Sequence, residues 1–376
     1  MRKIHLGDVC KRGSSNIALK DLDGNDGCYP IYGASGFIKN IDFYHQEREY
    51  IAVVKDGAGI GRTMLLPAKS SVIGTLQYLI PNSDSEISTR YLYYAITAMN
   101  LSKYFSGATI PHIYFKDYQK ELVKVPDLVE QDRIAGIFEK IDATIALRKE
   151  QQVELDKLVR SRFIEMFGDS VNNPLGLPTV LLSDVSDIVS GITKGRKTNG
   201  AELFEVPYMA VSNVKAGYID WSTVKTIRAT KDEIEQYCLQ PLDVLMTEGG
   251  DPDKLGRGAI ISAPPENCIH QNHIFRVRVN RNRLLPQYLE EYLQHQKAKQ
   301  YFLGCAKQTT GIASINMKQL RVMPVLLPEI KLQNQFAAFV QATDKSKYLS
   351  HLCIDICCMT ANKYRQERML CQTLNF

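Results

Sequence analysis

Four groups of residues in this chain have types and spacings that could do chemistry. Cys268-Ile-His270-Gln-Asn-His273 gathers one thiol and two imidazoles, the donors zinc prefers, but no fourth ligand lies nearby in the sequence. Asp251-Pro-Asp253-Lys254 has the acids and amine of a nuclease-like cluster. No second, strand-spaced carboxylate and lysine accompany it, so it reads as a loop. Gly57-Ala-Gly59-Ile-Gly61 follows a strand as a dinucleotide loop would, yet a helix must come next for its N-terminus to meet a phosphate. Arg62–Leu66 instead reads as a strand closed by Pro67, which makes the glycines a hairpin turn. Cys353, Cys357, Cys358 and Cys371 crowd the C-terminal end without a paired CxxC, and packing explains them better than metal binding. Neither an Asn/Asp-Pro-Pro-Tyr/Phe methylase motif nor a GxxxxGK[ST] phosphate loop occurs. No catalytic residue and no metal site is therefore expected.

Composition sets the outer bounds. The 376 residues allow two domains of ordinary size plus connecting elements. Hydrophobic residues make up 44% and charged residues 23%, values of a soluble globular chain. A formal charge of +5 permits nucleic-acid binding but is low for a nonspecific DNA binder. Met1-Arg2-Lys3 is followed by no apolar stretch of a signal peptide, and no apolar run is long enough to span a membrane. Nine cysteines without regular spacing fit a reducing compartment. The expected location is the cytoplasm.

The elements that would position a site come in duplicate. Pro126–Asp142 and Pro328–Asp344 align at one offset, 328 − 126 = 202, with Pro126/Pro328, Gln131/Gln333, Ala135/Ala337 and Asp142/Asp344 identical. Leu6-Gly-Asp8-Val9 and Leu182-Ser-Asp184-Val185 open the two halves at a smaller offset, 182 − 6 = 176, so the second half carries about 26 extra residues, expected in loops. Each half begins with short strands and turns: Tyr50–Val54 and Thr63–Leu66 read as strands, Val72–Ile80 as another, Arg90–Ala98 as a helix and Leu122–Val125 as a last strand. A long helical segment follows. Asp127 with Glu130 resembles a capping box. Ile134, Phe138, Ile141, Ile145, Leu155 and Val159 recur at steps of four and three, interrupted by Arg148 and Gln152. The same seam shifted by 202 passes through Phe336, Val340 and Ile354. About 40 residues at 1.5 Å each give a helix of about 60 Å.

These motifs resemble the specificity subunits of type I restriction–modification systems, over nearly the whole sequence. The carriers are Gly107-Ala-Thr-Ile-Pro111-His112-Ile113-Tyr-Phe, Val125-Pro126-Asp-Leu-Val-Glu130-Gln131, Ile134 through Phe138, Tyr29-Pro30-Ile-Tyr-Gly33-Ala-Ser-Gly36, Asp56-Gly57 and Phe163-Ile-Glu-Met-Phe167-Gly168-Asp169. The resemblance implies an α+β fold: two strand-rich globular target recognition domains joined by two long antiparallel coiled-coil helices, with a pseudo-twofold internal repeat. The expected divisions are a first recognition domain over 1–126, a first spacer helix over 127–169, a linker over 170–178, a second recognition domain over 179–328 and a second spacer helix over 329–370.

It further implies a DNA reader without chemistry of its own. Each recognition domain would read one half of a split site in double-stranded DNA, with the helices setting the gap. The same helices would dock two modification (methyltransferase) subunits, and restriction subunits would join them. S-adenosylmethionine, ATP and magnesium would sit on those partners, and no cofactor on this chain. A coiled-coil protein adaptor, or a stand-alone DNA-modifying enzyme with unrecognised motifs, is the alternative. The cysteine-rich C-terminal helix departs from the charged, Leu- and Glu-rich helix of the family.

Base-edge and phosphate contacts need polar and cationic side chains on turns. In the first half these are Lys11, Arg12, Lys55, Arg62, Thr109, His112 and Tyr114. In the second they are Lys194, Arg196, Lys197, Asn213, Lys215, Lys254, Arg257, Lys307, Gln308 and Thr309. The last three sit close to the Gly107–His112 loop by alignment, which places them ahead of the others.

Overall fold

The computed structural model describes residues 1–370 apart from 58, 108–110, 199, 251–254 and 310–311, with backbone alone at 307–309 and 312. The chain divides into two compact units: unit 1 is Met1–Glu150 with Leu349–Phe376, and unit 2 is Gln151–Tyr348. Each unit therefore holds one strand-rich half together with a stretch of each long helix.

Unit 1 contains β1 (Arg2–His5), β2 (Cys10–Ser14), β3 (Tyr29–Gly33), β4 (Gly36–Ile41), β5 (Tyr50–Val54), β6 (Thr63–Leu66), β7 (Ser71–Val72), β8 (Leu76–Pro81) and β9 (Leu122–Val125). Its largest sheet has the order β2-β8-β5-β6, antiparallel throughout. A second sheet runs β4-β3-β7, and β1 pairs with β9. All five residues of β5, Tyr-Ile-Ala-Val-Val, are buried, as a β-rich run placed between two neighbours should be. The sequence reading of a single strand over 72–80 is corrected: the chain leaves β7, turns through Ile73–Thr75 and re-enters as β8. Gly74 there donates its N–H to the carbonyl of Ile17 at 2.8 Å, which takes it out of the ladder.

Unit 2 contains β10 (Thr179–Leu181), β11 (Ser186–Ser190), β12 (Phe204–Met209), β13 (Lys225–Ala229), β14 (Val244–Thr247), β15 (Gly249–Gly250), β16 (Gly258–Ile260), β17 (Ile269–His270), β18 (Ile274–Val279), β19 (Lys307–Thr309), β20 (Ile312–Ser314) and β21 (Pro324–Leu326). The sheet orders repeat those of unit 1: β11-β18-β14-β16, β13-β12-β17 and β10 with β21. Even the mixed pairing recurs, since β3 and β12 each have one antiparallel and one parallel neighbour. A further sheet, β15-β20-β19, has its counterpart in unit 1 as isolated bridges that pair His112 with Asp56 and Ser106.

The first long helix spans Leu128–Phe167 and the second Ile330–Arg368. Asp127 caps the first, its carboxylate accepting from Glu130 N at 2.9 Å. In unit 1 the helices run antiparallel: Arg133 Nη2 donates to Tyr364 OH at 3.1 Å and Ser350 Oγ donates to Arg148 O at 3.1 Å. In unit 2, Phe336 meets Phe163 and Phe167, and Lys347 pairs with Asp156 at 2.7 Å. The expected seam faces inward. Ile134, Phe138, Val159, Phe336, Val340 and Ile354 are buried, and Ile141, Ile145 and Leu155 are half-buried. Its polar middle is satisfied by the Ser350 and Lys347 partnerships rather than by apolar contact.

Candidate nucleic-acid interface

One side chain, used twice, fastens each strand-rich half to its helix. Gln131 Oε1 accepts from Ser88 N at 2.8 Å, while its Nε2 donates to the carbonyls of Glu86 and Pro126, both at 2.9 Å. Gln333 makes the same three bonds, to Leu285 N at 2.8 Å, Arg283 O at 2.9 Å and Pro328 O at 2.8 Å. Both glutamines are 0% exposed. A buried amide that uses its acceptor and both donors fixes three backbone segments at once. Beside it, Tyr91 OH donates to Lys124 O at 2.5 Å and Tyr288 OH to Leu326 O at 2.8 Å, so the helix that follows each main sheet is tied to the strand before the long helix.

The scaffold holds a corner in each unit where the candidate residues gather. In unit 1 the β5–β6 turn closes with Val54 N to Arg62 O and Gly61 N to Val54 O, both at 2.9 Å. Gly57, Gly59 and Gly61 thus belong to a hairpin turn. A Cβ on Gly61, whose φ is +79°, would come within 2.4 Å of Ser102 N, so no other residue fits there. Residues 111–113 pack on this turn: Gly57 N donates to Pro111 O and Ile113 N to Lys55 O, both at 3.0 Å. His112 Nδ1 is hydrogen-bonded to the Asp56 carboxylate, and its ring lies 4.2 Å from that of Tyr114. Tyr114 is 45% exposed and carries Lys116 Nζ 5.2 Å from its ring centroid. Lys55, His112 and Tyr114 therefore lie together, while Arg62 closes the same turn on the side of Thr97 and Ser102.

In unit 2 the matching corner is built by β15, β20 and β19, where Gly249 pairs with Ser314 and Lys307 with Ser314. Lys307, Gln308 and Thr309 occupy β19, and Arg257 lies just before β16, its carbonyl accepting from Thr247 N at 3.1 Å. Ser314 takes the backbone pairing of His112 (314 − 112 = 202), and the same offset sets Lys307–Thr309 against residues 105–107, at the start of the Gly107–His112 loop. Thr109 and Lys254 lie outside the described residues, as do the side chains at 307–309.

Other candidates stand elsewhere. Lys11 and Arg12 are exposed on β2, and Lys194 and Lys197 are exposed in the turn after β11. Lys215 lies in a loop that reaches β16 through Gly217 N to Gly258 O at 3.0 Å. Two expectations are corrected. Asn213 is 0% exposed, its Oδ1 accepting from Ala210 N at 2.9 Å and its Nδ2 donating to Asp220 O at 2.8 Å, so it folds its own loop and has nothing left for a ligand. Arg196 forks onto the Glu233 carboxylate and donates also to Arg228 O at 3.1 Å. That guanidinium holds the Glu233 carboxyl down to about 2, so the pair is charged and closed on itself.

The zinc-like cluster is dispersed. His270 is buried with its ring nitrogens 3.1 Å from Tyr237 O and 3.4 Å from Val189 O, and burial lowers its pKa to about 4. His273 points to Glu248 at 2.5 Å. Among the described residues no group of His, Cys, Asp or Glu could hold a metal ion. Gln131, Gln333 and Lys116 were not expected at the site, although the identity of the glutamines at a fixed offset was the available signal.

Two similar units, each an α+β assembly clamped to a pair of antiparallel helical stretches, define a duplicated, helix-linked architecture. The chain belongs to the family of the type I restriction modification DNA specificity domain, whose model matches residues 1–157 and 176–351. It is 24% identical over 260 residues to the type I restriction enzyme EcoKI specificity subunit of Escherichia coli K12, covering 64% of this chain and 54% of that protein. It is likewise 24% identical over 262 residues to the type I restriction enzyme MjaVIII specificity subunit of Methanocaldococcus jannaschii, covering 62% and 59%. The alignments thus span little more than half the length of these relatives. A crystal structure of a type I restriction-modification S subunit from M. genitalium superposes with a TM-score of 0.62 at 14% identity, covering 99% of this chain and 96% of that one, which establishes a shared fold. No helix among the described residues is long and apolar enough to cross a membrane.

Proposed function

We propose that this chain is the DNA-reading subunit of a type I restriction–modification complex, and that it directs partner subunits without performing chemistry. The observation that carries this is the duplication of one scaffold, down to the Gln131 and Gln333 latches, with different side chains on the two equivalent corners. A protein built so presents two related but unequal surfaces, which suits a split, asymmetric site in double-stranded DNA. Unit 1 would read one half through Lys55, Arg62, His112 and Tyr114, and unit 2 the other through Arg257 and the Lys307–Thr309 strand. The long helices would set the gap and dock two modification subunits, with restriction subunits joining the complex in the cytoplasm. S-adenosylmethionine, ATP and magnesium would belong to those partners.

Co-expression with the modification subunit of the same host, followed by mapping adenine methylation across a plasmid, tests the reading. Methylation at one motif of two short halves and a fixed gap is expected. Replacing residues 1–126 by the corresponding segment of another family member should then change one half and leave the other. A stable complex that methylates nothing, or a motif unchanged by the exchange, would contradict the proposal.

A further inference from the structure

A cleft of about 550 Å³ opens in unit 1 where the β5–β6 turn, the end of the helix Thr89–Ala98 and the last turns of the second long helix meet. Arg62 and Arg365 line it, together with Thr97, Asn100, Ser102 and Asn362, and no carboxylate is among its walls in the described residues. The Arg365 guanidinium lies 5.0 Å from the Phe138 ring centroid and 6.0 Å from that of Tyr94. Its Nη1 reaches Asn362 Oδ1 at 3.5 Å, and its Nε is buried without a hydrogen-bond partner. Arg62 forms no ion pair among the described residues. Two guanidiniums that line one cleft without a carboxylate draw an anion into it. Planar N–H forks and neutral amide and hydroxyl donors are what a phosphate group requires.

The duplicated fold supplies a control. Unit 2 has a cleft of about 360 Å³ beside the equivalent place, which shares two positions with it: Gln294 where unit 1 has Thr97 (294 − 97 = 197) and Arg160 where it has Asn362 (362 − 160 = 202). The offset of 197 is that of the latch partners Leu285 and Ser88. Asp156, Glu290, Glu291 and Asp344 line this second cleft against Arg160 and Lys347, and Lys347 is occupied by Asp156 and Asp344. At the position of Arg62 unit 2 also has an arginine, Arg257, whose carbonyl accepts from Thr247 N as that of Arg62 does from Val54 N, but at the position of Arg365 it has Phe163 (365 − 163 = 202), so the pair of guanidiniums occurs in unit 1 alone.

We infer that the unit 1 cleft binds a phosphate group between Arg62 and Arg365. The group is either a backbone phosphodiester of bound duplex or part of a free polyphosphate. The first source rests on the DNA-reading proposal and the second does not.

The test uses the full chain in complex with its modification subunits, as wild type and as Arg62→Gln, Arg365→Gln and, in unit 2, Arg160→Gln. Arg365 packs on two rings, so Arg62→Gln, in an exposed turn, keeps the test free of folding effects. Duplex carrying the methylated motif is titrated at several salt concentrations. Tripolyphosphate is added separately in thermal unfolding. If a backbone phosphate occupies the cleft, each unit 1 variant lowers the slope of log affinity against log salt by about 0.9, and Arg160→Gln does not. If a free polyphosphate occupies it, the slopes stay equal but tripolyphosphate raises the melting temperature of wild type and not of the unit 1 variants. Equal slopes with equal protection overturn the inference, as does an equal loss in Arg160→Gln. Wild type that fails to bind any duplex would refute the DNA-reading proposal while leaving the tripolyphosphate result to decide the cleft.

Discussion

Removing the Gln333 side chain should unfold unit 2 selectively, and the structure allows the size of the effect to be worked out. Gln333→Ala leaves Leu285 N, Arg283 O and Pro328 O without the amide that serves them. A buried N–H left unpaired costs about 1–3 kcal/mol, and each lost bond to a carbonyl about 0.5–1.5 kcal/mol. With a small cavity added, the total is about 3–5 kcal/mol, a large share of the stability of one domain. At a urea m-value of about 2 kcal/mol/M this moves the midpoint down by about 2 M. Trp221 is the single tryptophan and lies in unit 2, so its fluorescence follows that unit. Gln333→Met keeps the volume without the hydrogen bonds and should show about half the shift or more. Gln131→Ala should leave the Trp221 transition in place while lowering amide-exchange protection around Ser88 and Val125. A Trp221 midpoint moved less than about 0.3 M by Gln333→Ala, or moved equally by Gln131→Ala, would refute the reasoning.

Two further perturbations test other features. The Glu290 carboxyl accepts from Ile260 N at 2.7 Å and is pushed up to about 7, first by burial and then by Asp344 and Glu291. The folded state therefore holds a proton that the unfolded chain releases near 4.5, so this contribution is full below about 4.5 and is lost as pH rises to about 7. Glu290→Gln keeps the acceptor and removes the titration, and should stabilise unit 2 at pH 8 by about 1–3 kcal/mol relative to wild type, with no gain at pH 4.5; Trp221 urea midpoints at the two pH values check this. Inserting four residues between Arg148 and Gln152 adds about 6 Å of helix. The methylated motif should keep both halves and widen its gap, and an unchanged gap would show that the helices do not set it.

Most of the scaffold was legible in the sequence because repetition and periodicity carry it. The seam from Ile134 to Val159 is read from apolar spacing alone, and spacing is what buries it. The Gly57–Gly61 turn was separable from a phosphate loop because Thr63–Leu66 has strand residues and Pro67 ends it. What stayed hidden depends on partners distant in sequence. Asn213 looks like any exposed amide until Asp220 and Ala210 fold over it, and Arg196 looks like a free cation until Glu233, 37 residues on, closes upon it. The glutamine latch was visible as an identity without a reason. Its reason is three backbone groups some 43–50 residues or 5 residues away, none recognisable by side-chain type.

The pairs of equivalent positions separate the scaffold from whatever reads the ligand. Where a residue serves the fold, the two units agree: Gln131 with Gln333, Tyr91 with Tyr288, and the carbonyls of Lys124 and Leu326 that the tyrosines hold. At the corners they disagree. Ile113 N donates to Lys55 O in unit 1 and Ile315 N to Glu248 O in unit 2, so a cation and an anion occupy the same place. His112, bound to Asp56, becomes Ser314 opposite Gly249, with neither ring nor carboxylate. Side chains of opposite charge and different reach on one backbone cannot make the same contacts with a base edge or a phosphate. On the DNA-reading proposal, two identical half-sites would therefore suit one unit better than the other, and the expected site is one whose halves differ.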